Sequence, residues 1–142
     1  MTHSDKTHIS KDQELRQVEE KKFLLSEPFK LENGELSNLE IAYESYGSLN
    51  QERTNCILLC HALTGDHHAA GYHEGDEKPG WWNHLIGPGK PIDTNIFFVV
   101  CSNCLGACGG STGPTSKSFE YTSEIYGMDF PDFTIKDMIR AQ

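Results

Sequence analysis

Two continuous apolar runs stand out along the chain, one at residues 56–60 and one at residues 96–101, the latter within a predicted strand over residues 95–101. Runs of this length are typical of strands covered on both faces, the usual state of parallel strands in α/β proteins. The segment between them is long enough for a crossover, so the two strands can be parallel. We therefore predict an α/β fold in which these two runs are buried strands of one sheet.

The preceding part of the chain, residues 23–46, alternates between apolar and polar positions on both sides of Asn33-Gly34. Asn-Gly accepts the positive φ angles of a tight hairpin turn, so the pattern predicts an antiparallel β-hairpin. Residues 39–44 form its second strand, with Glu44 among the polar positions of a half-buried strand.

Few helices are expected. Thr134 and Asp137 have the spacing of a capping box at the start of a helix. One short helix is also predicted over residues 81–86, after Pro79-Gly80 and before the Gly-Pro-Gly at residues 87–89. The remaining parts of residues 61–94 and 102–133 are long loops, which usually carry function inside a compact domain.

Composition and charge limit the domain bounds, the partner classes and the cellular compartment that we expect for this chain. Residues 1–22 are polar with mixed charge and are expected to be a tail, so the predicted domain spans residues 23–142. The net charge of −9 argues against nucleic acid and anionic membranes as partners. No apolar segment predicts a secretory signal or a membrane span, so we expect a cytoplasmic protein whose five cysteines are reduced thiols.

The segment that follows the first apolar run is a candidate site. Reaction sites of open α/β sheets lie just past the carboxyl ends of the strands. Leu63-Thr64-Gly65 is small and turning, so it could present backbone N–H groups to a developing oxyanion. A simple tight turn explains the same residues equally well from their spacing.

A literal nucleophile motif, G-x-S-x-G, is centred on Ser111. The motif works only where a strand turns sharply into a helix. Here the predicted strand ends near Cys101, and no amphipathic helix follows. We therefore interpret the segment as a glycine-rich loop.

Two groups of side chains could be taken for metal sites. Cys101, Cys104 and Cys108 lack a second pair of cysteines, so ordinary thiols are the favoured interpretation. A titratable cluster in the first loop has no recognisable ligand spacing and is interpreted as solvated, with no metal expected; its members are Asp66, His67, His68, His73, Glu74 and Asp76. Trp81-Trp82 is expected to anchor this loop.

Several blocks in order resemble the homoserine O-acetyltransferase family, and the match runs from about Leu31 to the last residue. The blocks are HALTGD at residues 61–66, KPGWW at 78–82, LIGPGK at 85–90, IDT at 92–94, CSN at 101–103, LG at 105–106, TGP at 112–114, GMDFP at 127–131 and DMIRAQ at 137–142. Together these blocks are far more specific than any one of them.

The resemblance implies an α/β-hydrolase fold and acyl transfer from acetyl-CoA to the hydroxyl of L-homoserine, in methionine biosynthesis, through an acyl-serine. It implies an oxyanion-hole donor at the backbone N–H of Leu63, with Thr64 and Gly65 lining the substrate pocket. It implies acyl-CoA as co-substrate, no other cofactor, and a homodimer at full length. The triad and its serine elbow would lie beyond Gln142, so we expect an N-terminal fragment that is inactive alone.

Three alternatives stay open. Succinyl-CoA could be the acyl donor, because similar sequences serve both reactions. A hydrolase of the same fold is a weaker possibility. The third is a non-catalytic metal-binding or interaction module built on the cysteines and histidines.

Overall fold

The structure is a computed structural model that describes residues 15, 17–118 and 125–142. Eight strands, one 3₁₀ turn and one α-helix follow each other along these residues. They are β1 (Lys21–Leu25), β2 (Phe29–Leu31), β3 (Gly34–Leu36), β4 (Leu39–Tyr46), β5 (Cys56–Leu59), β6 (Ile86–Gly87), β7 (Ile92–Asp93), β8 (Phe98–Ser102), the 3₁₀ turn Gly127–Asp129 and α1 (Ile135–Ala141).

The main sheet has four strands in the order β1-β4-β8-β5. Strands β5 and β8 are parallel, with Leu58 opposite Val100, whereas β4 runs antiparallel to both β1 and β8. The predicted parallel pair is therefore confirmed. The mixed sheet, with a crossover between its parallel strands, is part of an α/β fold.

The hairpin prediction is right that the chain turns at Asn33 and wrong for the turn residues and the pairing. The turn is at residues 32–33, one residue earlier than predicted, and neither Asn33 nor Gly34 has a positive φ angle. It joins β2 to β3, which form a separate two-stranded sheet. Strand β4 pairs instead with β1, which begins at Lys21, inside the segment expected to be a tail. Just before β1, the Val18 N–H donates a hydrogen bond to the Tyr72 carbonyl at 3.0 Å. Most of the expected tail lies outside the described residues.

Strand β4 is buried on both faces, so the expectation of a half-buried strand is wrong. Leu39 and Ile41 belong to one apolar cluster, and Tyr46, on the opposite face, belongs to a second cluster with Val99 of β8. Glu44 lies on this second face and is completely buried, at 0% exposure. A sheet covered on both sides leaves no solvated face for the polar positions of its central strand.

Strand β5 departs from its prediction in the other direction. Leu58 is 50% exposed and Cys56 is also exposed, although both were expected to be covered. Within the described parts of the chain, β5 pairs with β8 on one side only. The apolar run is therefore an edge strand here.

The helix predicted over residues 81–86 does not form. The Leu85 and Ile86 amides both donate to the Trp82 carbonyl, at 2.8 and 3.1 Å, which closes a single turn. The chain then extends into β6, which pairs in parallel with β7. This pairing takes Ile86 away from the helical path.

The capping box is confirmed. The Asp137 N–H donates to Thr134 Oγ1 at 3.2 Å, and Asp137 Oδ2 accepts from the Thr134 N–H at 3.0 Å. Asp137 also accepts from the Glu32 N–H at 3.1 Å, and Arg140 donates to the Lys30 carbonyl at 2.6 Å. The first turn of α1 is thus tied to the β2–β3 sheet.

The Asp137 carboxyl at this contact is stabilised in its charged form by the groups that donate hydrogen bonds to it. Burial opposes ionisation of Asp137, but hydrogen bonds from the Thr134 and Glu32 amides and the nearby Arg140 outweigh it and lower the pKa of the carboxyl.

Among the described residues, no helix is long and apolar enough to cross a membrane.

The cap gives a first prediction. Thr134→Ala should lower the free energy of unfolding by about 1 kcal/mol, because the Asp137 amide loses its acceptor. Thr134→Ser keeps the oxygen and should retain most of the stability. Urea unfolding of the two variants measures the difference, and equal losses in both would contradict a role for the hydroxyl.

Candidate functional site

The chain leaves β5 in a tight turn. The Gly65 N–H donates to the Ala62 carbonyl at 2.8 Å, so Leu63 and Thr64 are the two central residues of a β-turn. The Leu63 side chain is 98% exposed. The tight turn expected from the sequence is therefore present at the end of β5, and the role of its backbone N–H groups stays a prediction.

Two open hollows flank this turn. The first is lined by Thr64 and Gly65, with His61, Asp66 and the Trp81-Trp82 pair around them. The second lies between the turn and α1 and is mainly apolar; its lining includes Leu63, Leu105, Phe133, Met138 and Ile139. The predicted site residues thus lie between two open hollows.

The loop beyond the turn is anchored to the sheet by its backbone. The amides of Ala69 and Ala70 donate to the Tyr46 hydroxyl at 2.9 and 3.0 Å. The Trp82 amide donates to the Ala69 carbonyl at 2.7 Å. A Cβ at Gly80 would lie 2.3 Å from the Ala70 nitrogen, so only glycine permits this close approach. The loop is therefore held through backbone atoms. Trp81 and Trp82 are each 38% exposed, so the expectation that they anchor the loop as hydrophobic groups is wrong.

Glu44 is the centre of the polar contacts beneath the loop. Tyr46 donates to Glu44 Oε2 at 2.5 Å, and His68 Nδ1 lies 3.0 Å from Glu44 Oε1. His73 Nε2 lies 2.5 Å from the same Oε1 atom. The two imidazole rings are 4.0 Å apart between centroids. A buried carboxylate therefore collects one hydroxyl from its own strand and two imidazoles from the loop.

The protonation of Tyr46 is fixed by its surroundings. Burial raises the pKa of the Tyr46 hydroxyl far above its usual range, and the hydrogen bond to Glu44 and its charge act in the same direction. Tyr46 therefore stays a hydrogen-bond donor to Glu44 under all ordinary conditions.

The interpretation of the histidine cluster as a solvated loop is wrong for its central members. His67 is buried, with Nε2 3.1 Å from Glu20 Oε2, and His68 is mostly buried against Glu44. The acidic members Asp66, Glu74 and Asp76 are exposed as expected, although Asp76 lies within 4 Å of both His68 and His73. His68 and His73 depart from the expectation because they contact the buried carboxylate of Glu44 on β4.

Glu44, His68 and His73 form the one group of three potential metal ligands found among the described residues, with ligand atoms within 4.8 Å of one another. The sequence reasoning missed Glu44 because it lies 24 residues before His68, on another strand. The signal in the sequence that could have pointed to Glu44 is its place between apolar and aromatic residues of a strand.

The cysteines do not form a metal site among the described residues, because they are not brought together as a ligand group. Burial raises the pKa of the Cys101 thiol to about 12, with Glu44 adding to the effect. Cys104 accepts a hydrogen bond from Gln142 Nε2 at 3.3 Å. Cys108 is exposed. A metal module built on these thiols is therefore not supported.

Ser111 is a structural residue. Its buried hydroxyl accepts from the Ala42 amide at 3.0 Å and donates to the Asn103 carbonyl at 2.8 Å. The next residue, Thr112, pairs with the Glu40 backbone through its amide at 2.8 Å. The glycine-rich loop thus lies along β4, and its serine has no turn that would lift it above the sheet.

Comparison with known proteins agrees with this architecture. A solved structure of homoserine O-acetyltransferase from Bacillus anthracis superimposes with a TM-score of 0.77 at 43% identity, covering 88% of this chain and 35% of that one. The structure of esterase E22 gives the same TM-score at 39% identity, over 88% of this chain and 36% of that one. The fold is therefore the α/β fold shared by acyltransferases and esterases of the α/β-hydrolase type.

Sequence comparison narrows the class. A homoserine O-acetyltransferase of Methanosalsum zhilinae is 59% identical over 126 residues, which is 88% of this chain and 25% of the relative. A homoserine O-succinyltransferase of Halorhodospira halophila is 58% identical over 127 residues, which is 88% of this chain and 33% of the relative. No family model matches the chain.

The chain is thus a homologue of homoserine O-acetyltransferases, with O-succinyltransferases as almost equally similar relatives. It spans about a quarter to a third of the length of the curated relatives that it matches. The resemblance inferred from the sequence blocks is confirmed.

Tyr46 provides the prediction for this site. Tyr46→Phe should lower the free energy of unfolding at neutral pH by about 1–3 kcal/mol, because two loop amides and Glu44 lose a buried partner. The folded pKa of Tyr46 is raised, so the contribution of the hydroxyl is present below pH about 10 and is lost as the unfolded tyrosine ionises above it. The gap between the two proteins should therefore narrow at alkaline pH.

Urea unfolding of both proteins from pH 7 to pH 11 measures this gap, with Tyr43→Phe, on the opposite face of β4, as the matched control. A gap that is absent at pH 7, or that widens with rising pH, would contradict the assigned hydrogen bonds.

Proposed function

We propose that this chain is the N-terminal portion of a homoserine O-acetyltransferase of methionine biosynthesis, acting in the cytoplasm. The observation that carries the proposal is the 59% identity to a protein of that name over 88% of the chain. The intact enzyme moves an acetyl group from acetyl-CoA to the hydroxyl of L-homoserine. It uses acyl-CoA as co-substrate with no further cofactor, and it acts as a homodimer without nucleic acid or membrane partners.

The chain contributes one half of the oxyanion hole. The proposed donor is the backbone N–H of Leu63, in the exposed turn that closes between Ala62 and Gly65. Thr64 and Gly65 line the substrate side, which agrees with their place in the hollow beside Trp81-Trp82. The nucleophilic serine and its Asp and His belong to the part of the relatives that this chain does not span.

The reaction follows from these parts. The serine hydroxyl attacks the thioester carbonyl, its proton passes to the histidine, and the carbonyl oxygen becomes an oxyanion. Two backbone N–H groups hold that oxyanion, one of them Leu63 and the other the residue after the serine. The CoA thiol leaves, and the homoserine hydroxyl then takes the acyl group from the serine in a second attack of the same kind.

Two alternative activities differ from this proposal, one in the acyl donor and the other in the acyl acceptor. The 58% identity to an O-succinyltransferase supports succinyl-CoA as the alternative donor. The structural similarity to esterase E22 supports water as an alternative acceptor, that is, hydrolysis. Both use the same oxyanion turn, so the turn itself does not distinguish them.

The test joins this chain to the missing remainder. A chimera carries these 142 residues in place of the matching segment of the Methanosalsum zhilinae relative. Homoserine-dependent release of CoA from acetyl-CoA is the expected result, with no release by the 142-residue chain alone. Faster turnover with succinyl-CoA would favour the alternative donor, and CoA release without homoserine would favour a hydrolase.

The oxyanion role yields a prediction that can be tested in the same chimera. Leu63→Pro removes one N–H at the first central position of a β-turn, where proline is well tolerated. The expected loss in kcat is about 10²–10³-fold, as for other oxyanion donors. Leu63→Ala keeps the N–H and should remain near the parent rate.

Equal rates in Leu63→Pro and Leu63→Ala would contradict the assignment of the donor. Ser111→Ala serves as a second control, read per folded protein by circular dichroism, because its hydroxyl is bound to two backbone groups. Turnover by the chain alone that disappears in Ser111→Ala would overturn the view that the nucleophile lies elsewhere.

A further inference from the structure

We infer that Glu44, His68 and His73 form a binding site for one divalent transition-metal ion of the Zn²⁺ class. The site is distinct from the proposed oxyanion turn and plays no part in acyl transfer. Its ion would join strand β4 to the loop that follows β5.

The three ligand atoms already converge. His68 Nδ1 and His73 Nε2 lie 3.0 and 2.5 Å from the same Glu44 oxygen, Oε1. Donor atoms around a tetrahedral zinc ion lie about 3.4 Å apart, for metal–ligand distances of about 2.1 Å. All three atoms lie within 4.8 Å of one another, so small side-chain rotations would admit an ion between them.

Further polar groups surround the ligands. Tyr46 donates to Glu44 Oε2, and His68 Nδ1 lies between the two carboxylate oxygens, 3.0 Å from Oε1 and 3.1 Å from Oε2. Asp76 Oδ2 lies 3.8 Å from His68 Nε2 and 3.6 Å from His73 Nδ1, the two ring nitrogens that do not face Glu44. These distances are too long for hydrogen bonds, and His68 Nε2 is buried without a hydrogen-bond partner. A carboxylate behind a ligating imidazole is the usual arrangement around a metal-binding histidine, and Asp76 is the residue placed to take that role when the rings rotate onto an ion.

The charge balance favours a cation at the same point. Glu44 is completely buried, and its recorded ion-pair partners in the described part of the chain are histidines, with no lysine or arginine among them. Asp76 adds a second carboxylate close by. A buried carboxylate is costly unless it is paired with opposite charge, and a dication bound by neutral imidazoles supplies that charge.

Solvent access and the chemical type of the ligand atoms both suit a transition-metal ion. The His73 side chain is about one-third exposed, at 36%, so an ion can enter from solvent and keep a water molecule as a fourth ligand. Two imidazoles and one carboxylate suit zinc and neighbouring first-row metals better than Ca²⁺ or Mg²⁺, which prefer oxygen ligands only.

Metal titration of the 142-residue chain, purified without an affinity tag and stripped with EDTA, tests the site. Zinc is added in competition with a chromogenic chelator, and the bound metal is counted by elemental analysis. The expected result is one zinc per chain, together with a higher midpoint of thermal unfolding. His68→Ala and His73→Ala should each abolish stoichiometric binding, and Asp76→Asn should weaken it about 10–100-fold.

The matched control is His84→Ala, which removes an exposed histidine outside the cluster. It should bind zinc as the parent does, and circular dichroism confirms that each variant is folded. Should His73→Ala fail to fold, the mildly substituted Asp76→Asn still reports on the site.

Cobalt substitution identifies the ligands independently. A nitrogen and oxygen ligand set gives Co²⁺ absorption without a thiolate charge-transfer band. Absence of bound zinc, equal binding by His73→Ala and His84→Ala, or a thiolate band that points to the cysteines would each overturn the inference.

Discussion

The buried carboxylate of Glu44 is the constraint on which this part of the protein depends. Removing a carboxylate from water costs several kcal/mol unless hydrogen bonds and opposite charge replace the lost hydration. Its own strand supplies one donor, Tyr46, and the loop after β5 supplies His68 and His73. The loop is therefore obliged to fold back onto β4, and it cannot stay solvated as its composition suggests.

This return of the loop positions the candidate site. The Tyr46 hydroxyl also accepts hydrogen bonds from the amides of Ala69 and Ala70. These two residues in turn contact the backbone of Gly80 and Trp82. The exposed turn around Leu63 lies between the end of β5 and the anchored loop. Strand β4 thus fixes a turn that belongs to another strand.

The second long loop uses the same strand at other positions. Ser111 bonds the Ala42 amide, and Thr112 pairs with the Glu40 backbone. Both loops, together with β1 and β8, therefore converge on β4. This convergence explains why a strand that carries Glu40, Glu44 and Ser45 has no exposed residue.

The sequence predicted features that depend on local chemistry. The strands β5 and β8, a chain reversal at Asn33 and the Thr134–Asp137 cap are each set by a short local pattern. The resemblance of the sequence blocks placed Leu63 after β5, and the structure shows an exposed turn there.

Features set by distant partners could not be predicted. The burial of Glu44 depends on histidines more than twenty residues later, and alternation alone put it toward solvent. The turn at residues 81–86 is not extended into a helix because β6 pairs with β7. The exposure of Leu58 depends on which strands lie beside β5, which an apolar run does not reveal.

Amide hydrogen exchange at Ala69 and Ala70 tests the central claim most directly. If the Glu44–Tyr46 pair holds the loop, these amides exchange slowly in the parent chain, and Tyr46→Phe makes both exchange much faster while Val99 and Cys101 in β8 keep their protection. Unchanged protection at Ala69 and Ala70 in the variant, or rapid exchange of both in the parent, would contradict the account.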